Sequence, residues 1–237
     1  MENSNRGLES PPAGFERFPR PRNYFEIQQR ITRSFARQEP LSENPVEVEV
    51  VDGFEDVLPE PLGAGFFYNT PTSVHQLNFV LSVASHATID ALLADKTIPP
   101  SEFIKDLREK KVLSGLKIID LGCGRPFFAI AAQALGARAY TTDIEDISER
   151  DKKYIERHTI LNLNQPNAID ALLDSTGGDF DIVSENIIGS TPGMRRNVSV
   201  PKPERITDIA GALLKQNGYL YYSSKSYAAA DRMLRKK

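Results

Sequence analysis

A chain of 237 residues with 40% hydrophobic content has room for one α/β domain plus an extension, and it can bury a substantial core. A formal net charge of −3 and a pI near 5.7 exclude a global field for holding nucleic acid or an anionic membrane. The single cysteine, Cys123, rules out an internal disulfide, and no apolar run approaches the roughly 18 residues of a membrane span, so the expectation is a soluble, cytoplasmic protein.

Residues 1–45 are rich in Pro, Arg, Ser and Asn with scattered aromatics, too little apolar surface to offset chain ordering, and read as a disordered arm. Its arginines, among them Arg17, Arg20, Arg22, Arg30, Arg33 and Arg37, read as a solvated tail rather than a phosphate-binding patch. Residues 46–115 form an N-terminal extension. It opens with VEVEVV (46–51), whose strict alternation places Val46, Val48 and Val50 on one strand face. GAGFFYNTPTS (63–73) then leads into a helix running to about Asp95, and SEFIKDLREKKVL (101–113) follows as a second helix with Glu102 in its first turn.

From residue 116 to 237 strands and helices alternate. LKIIDL (116–121) is the first strand, FFAIAAQAL a helix stopped by Gly136, and ARAYTTD the second strand. The third strand falls near residues 159–163, AIDALLDS is a helix, FDIVSENI (180–187) is the fourth strand, PERITDIAGALLKQ a helix ending at Asn217-Gly218, and YLYYSS (219–224) the fifth strand. Apolar strands separated by helices imply βαβ units, hence an α/β fold with a mostly parallel, doubly wound sheet and helices on both faces.

In such sheets ligands bind beyond the carboxyl ends of the strands, where the first βα turn lines the crevice. Here that turn is Gly122-Cys123-Gly124, and the two glycines permit positive φ and close backbone approach. Asp143, twenty-one residues after Gly122, ends the second strand, where a carboxylate suits the paired hydroxyls of a ribose. Phe127 stands where a dinucleotide-binding turn would have its third glycine, and Asp120 at the end of the first strand suits a cationic ligand group better than a pyrophosphate. His75, His86 and His158 show no metal-ligand spacing, and no metal is expected.

IDLGCG with a correctly spaced acid resembles the first motif of the class I S-adenosylmethionine-dependent methyltransferases. FDIVSENII and LLKQNGYLYYSS are similar to the fourth- and fifth-strand segments of the small-molecule branch of that family, so the resemblance covers about residues 110–226. It implies a Rossmann-like core that binds S-adenosyl-L-methionine: Asp120, Gly122, Cys123 and Gly124 at the methionine end, Asp143 on the ribose, and Ile144 against the adenine. Asn162 would stand near the adenine amino group, with Glu185 and Asn186 beneath the reactive methyl. Glu185 is then the candidate base, ahead of His75 and Tyr68, and GFFY (65–68) a candidate aromatic substrate wall.

The fourth strand has no N-P-P-Y run, which points away from nucleic acid and toward a small molecule or protein side chain as acceptor. A catalytically silent binding or scaffold relative and an NAD-dependent oxidoreductase remain open as alternatives. Family members close the sheet with an antiparallel strand pair, and no strand is legible after YLYYSS. The fold therefore reads as lacking that pair, with the fifth strand covered either by residues 46–51 or by a second copy in a homo-oligomer.

Overall fold

The computed structural model describes residues 11–19, 21–35, 71–84, 87–185, 201–222 and 232–237. Two elements precede the helical extension: β1 (Phe15–Arg17) and α1 (Tyr24–Phe35). The extension itself holds α2 (Pro71–Val83), α3 (Ala87–Ala94) and α4 (Pro100–Glu109). The alternating part follows with β2 (Lys117–Leu121), α5 (Phe127–Ala134), β3 (Arg138–Asp143), the single turn α6 (Glu149–Lys152) and β4 (Arg157–Ile160). It continues through α7 (Ala168–Thr176), β5 (Phe180–Glu185), α8 (Pro203–Leu213), β6 (Leu214–Tyr222) and β7 (Arg232–Lys236).

These strands form one seven-stranded sheet in the order β1-β7-β6-β5-β2-β3-β4. The five from β6 to β4 are parallel neighbours, and β7 runs antiparallel to both β6 and β1. Strand order reverses between β2 and β5, so the carboxyl ends of those two central strands frame the crevice. The fold class is the Rossmann-like α/β arrangement that the alternation implied.

Successive residues of each strand feed opposite layers, as the two-residue period of a strand requires. Ile118, Ala139, Ile182 and Tyr221 pack under α1 to α5, whereas Ile119, Tyr140, Val183 and Leu220 pack against α7 and α8. Both faces are covered, which explains why these strands read as unbroken apolar runs. Asp120 and Ser184 continue the rows of Ile118 and Ile182, so their side chains emerge on the α2 side of the sheet.

Several boundaries differ from the sequence expectation. The helix expected to reach Asp95 is two, α2 and α3; near the break the Ser82 hydroxyl donates to the Phe79 carbonyl at 2.8 Å, a side-chain bond that competes with helix continuation. The third strand lies at Arg157–Ile160, two residues before its expected start. α8 stops at Leu213, and residues 215–218 bulge out between the Phe180↔Leu214 and Ile182↔Tyr219 pairs, with Asn217 at φ 63° providing the turn.

The arm and the missing closing strands are corrected more substantially. Within residues 1–45, Tyr24, Ile27 and Ile31 are fully buried against the helical layer, and the Arg30 guanidinium donates to the carbonyls of Leu93, Asp95 and Ile98. A short amphipathic helix of this kind gains its stability from docking, which composition alone does not register. Beside β6 the sheet is closed by RMLRK and then by FER, joined through Glu16 and Arg235 as well as by the ladder. Residues 46–51, expected to cover this edge, lie outside the described residues.

Removal of residues 1–40 is expected to lower the melting temperature sharply and to promote self-association, because it strips the outer partner of β7 and uncovers the α1 seat. Ile27→Ala alone is expected to cost about 2–5 kcal/mol in denaturant unfolding. A truncated protein that stays monomeric with an unchanged melting temperature would contradict this account.

Candidate active site

The residues singled out from the glycine turn converge where the central strands end. Gly122 and Gly124 have φ of 66° and 52°, a conformation L side chains rarely adopt, and a Cβ placed on Gly124 would meet nothing within 4 Å. The turn is therefore open on its outer side. It is fixed from beneath by the Thr142 carbonyl, which accepts from the N–H groups of Gly122 and Cys123 at 2.8 and 3.1 Å.

Asp143 closes the turn from the neighbouring strand. One carboxylate oxygen accepts from Gly124 N at 2.8 Å, and the other from Ile144 N at 2.7 Å and Glu145 N at 3.4 Å. Three backbone donors occupy most of the roughly four acceptor directions of a carboxylate. Asp143 thus shapes the turn and has limited capacity left for ribose hydroxyls.

Asp120 is only 1% exposed. Its Oδ1 accepts from Gln76 Nε2 at 2.8 Å, and that same nitrogen donates to Ser184 Oγ at 2.6 Å. Burial drives the Asp120 carboxyl well above the usual carboxylate range, the Gln76 bond pulls it back, and the charges of Glu185 and Asp143 push it up again. Gln76 and Ser184 are the site residues that sequence reading missed. Gln76 stands beside His75, which was considered as a base, but the side chain of His75 is outside the described residues.

Cys123 is buried, and its thiol is pushed well above its ordinary value, first by burial and then by Asp120 and Asp143. The thiol donates to the Gly124 carbonyl at 3.5 Å, and the Thr141 hydroxyl lies 2.8 Å from His158 Nδ1. His158 Nε2 lies 3.0 Å from the Glu145 carbonyl, which can only accept, so Nε2 is the donor of that bond. His158 thereby pins the loop that follows Asp143.

Ile144 is partly exposed beside Asp143, and Ile160, the β4 residue paired with Asp143, is exposed too, so two apolar side chains flank the acid. Asn162 is exposed and uses its Oδ1 to accept from Asn164 N at 3.0 Å, a turn-forming role that leaves its amide nitrogen for any other partner. Glu185 is 4% exposed at the end of β5, opposite Leu121, and belongs to the strand row facing away from α2. Asn186, Tyr68 and residues 65–67 lie outside the described residues. Among those described, no group of three or more His, Cys, Asp or Glu side chains is arranged to hold a metal. No single described helix is long and apolar enough to cross a membrane.

A hollow of about 290 Å³ bounded by Val83, Leu116, Asp181, Lys215 and Tyr219 lies at the opposite end of the strands and touches none of these residues.

No family model and no curated protein matches the chain. Among solved structures it is similar to a ribosomal protein L11 methylase from Lactobacillus delbrueckii subsp. bulgaricus, at 18% identity and TM-score 0.34 over 68% of this chain and 77% of that one. It is similar as well to the MycE methyltransferase of the mycinamycin biosynthetic pathway (16% identity, TM-score 0.35, 80% of this chain and 54% of that one). A 2-haloacrylate reductase is also similar (16% identity, TM-score 0.34, 65% and 41%). The chain spans 30% of the length of a further similar structure, AibC. Such likenesses do not establish an activity, which has to come from the residues at the strand ends.

Two consequences are measurable. A carboxyl whose folded titration lies above its unfolded value of about 3.9 adds stability below that value and loses the contribution as pH rises through the folded one. Asp120→Asn, which retains an acceptor for Gln76, is therefore expected to be more stable than the parent at pH 7.5 and to flatten the decline in stability above about pH 4; equal stability across that range would refute the buried charge. Thiol reagents are expected to label Cys123 far more slowly in the native protein than in urea, with the rate still rising at about pH 9.

Proposed function

We propose that the chain is an S-adenosyl-L-methionine-dependent methyltransferase whose acceptor is a small molecule or a protein side chain. One observation carries the reading: a carboxylate, Asp120, is shut almost completely from water with Gln76 as its hydrogen-bond donor, and among the described residues the charges acting on it are two more carboxylates, Glu185 and Asp143. An arrangement so short of positive charge suits a ligand that brings it, and the sulfonium and ammonium of this cofactor do so. A pyrophosphate would bring more negative charge to the same place, which weighs against the nicotinamide reading.

The residues present fit the cofactor in outline. Gly124 leaves open backbone for it, Gly122 makes the turn with its positive φ, Asp120 faces its cationic end, and Ile144 and Ile160 offer apolar surface on either side of Asp143 for a base. When bound, the cofactor supplies a methyl group activated by a positively charged sulfur. The protein's own contribution is to align the acceptor behind that methyl and to exclude water. Glu185, at the end of β5, is the proposed acceptor of the nucleophile's proton, and Asn186 would lie next to it.

Calorimetry with S-adenosylmethionine and its demethylated product is expected to give binding and a raised melting temperature, about 2.7 kcal/mol of stabilisation at a hundredfold excess over Kd, with no response to NAD. Absence of binding at millimolar ligand would remove the proposal, and binding without turnover on any acceptor would leave a silent relative. Asp143→Ala is expected to weaken binding by roughly 1.5–3 kcal/mol. It is also expected to loosen the free protein, since the N–H groups of Gly124 and Ile144 lose their acceptor.

A further inference from the structure

Gln76 is fully buried, yet only half of its amide is satisfied: Nε2 serves both Asp120 and Ser184, while Oε1 has no hydrogen-bond partner. A side chain present only for packing would do better as leucine or methionine, because an orphaned buried carbonyl carries a desolvation penalty. The amide also spans long separations, joining α2 to β2 across 44 residues and to β5 across 108. Phe79, one turn further along α2, packs on Tyr221 with ring centroids 5.1 Å apart, which holds this face of the helix over the strand ends. Across the sheet the row beneath reads Thr141, Asp120, Ser184 and Tyr221 in direct register.

We infer that Gln76 is a positioning residue of the crevice: clamped on Ser184, its amide donor aims the Asp120 carboxyl toward the cationic end of a ligand and favours the carboxylate over the acid. This rests on the methyltransferase reading for the identity of that ligand and on the geometry for the clamp. The other described groups that bear on Asp120 disfavour its charge. Burial acts first, then Glu185 from β5 and Asp143 from β3, and Cys123 from the turn is itself held as a neutral thiol. Among the described side chains of α2, the Gln76 donor alone opposes them.

The test uses the full-length chain with two readouts. The carboxyl carbon of Asp120 is titrated by NMR in the ligand-free protein, and S-adenosylmethionine affinity is measured across the same pH range, for the parent, Gln76→Leu and Gln76→Glu. Gln76→Leu is expected to move the Asp120 midpoint up, to weaken binding by about tenfold at pH values below the parent's midpoint, and to regain the parent's affinity above the new one. Gln76→Glu, which keeps the length but cannot donate once ionised, is expected to shift the midpoint at least as far. Should the leucine variant not fold, Gln76→Asn keeps the amide and shortens its reach, and the same upward shift is expected.

An unmoved Asp120 midpoint, or an affinity lost equally at every pH, makes Gln76 a packing residue and overturns the inference. If the parent binds no S-adenosylmethionine at any pH while the midpoint still moves, the methyltransferase reading falls and the hold of Gln76 on Asp120 stands.

Discussion

The site is built around a negative charge that the fold keeps out of water. Asp120 ends the central strand β2, beside the point where strand order reverses, and helix α2 seals it from the solvent side. Isolated buried carboxylates are costly and tend to neutralise themselves by taking up a proton. Among the described residues little prevents this: Glu185 and Asp143 are acids, Cys123 is held as a neutral thiol, and one amide donor, Gln76, stands against them. Burial and two neighbouring acids thus disfavour the charge of Asp120 in the free protein, and a cation placed beside it would reverse that balance.

What could be read from the sequence follows the range of the forces involved. Asp120, Gly122, Gly124 and Asp143 were legible because a strand, a tight turn and a strand-end acid are local, and their spacing is set by one βαβ unit. Gln76 and Ser184 were not, since their role exists only when α2 lies across β2 and β5, and neither residue has a pattern of its own. Ile160 was hidden for a milder reason: the third strand begins and ends earlier than its apolar pattern suggested, so its last residue passed for the interior.

The same distinction separates the core of the fold from its edge. Continuous apolar strands announce themselves because both faces of the sheet are covered. FER and RMLRK are three and five residues long, charged, and stable only as partners of one another and of β6. Their charges suit an outer position, where Glu16 meets Arg235 and Lys236 reaches the carbonyls of Gly211 and Leu214. Composition reads such segments as tails, although Phe15 and Leu234 are buried.

Pairing of the first strand with the last has a consequence for how the chain acquires its structure. Phe15 sits opposite Lys236, and Lys237 N donates to Gly14 O at 2.9 Å, so the register joins segments far apart in sequence. During synthesis β1 emerges first and has no strand to join until β7 has been made, while β2 and β3 can pair as soon as their connecting helix exists. The edge of the sheet is therefore completed last. An edge built from such distant segments carries the largest loop-closure cost among the described strand pairs.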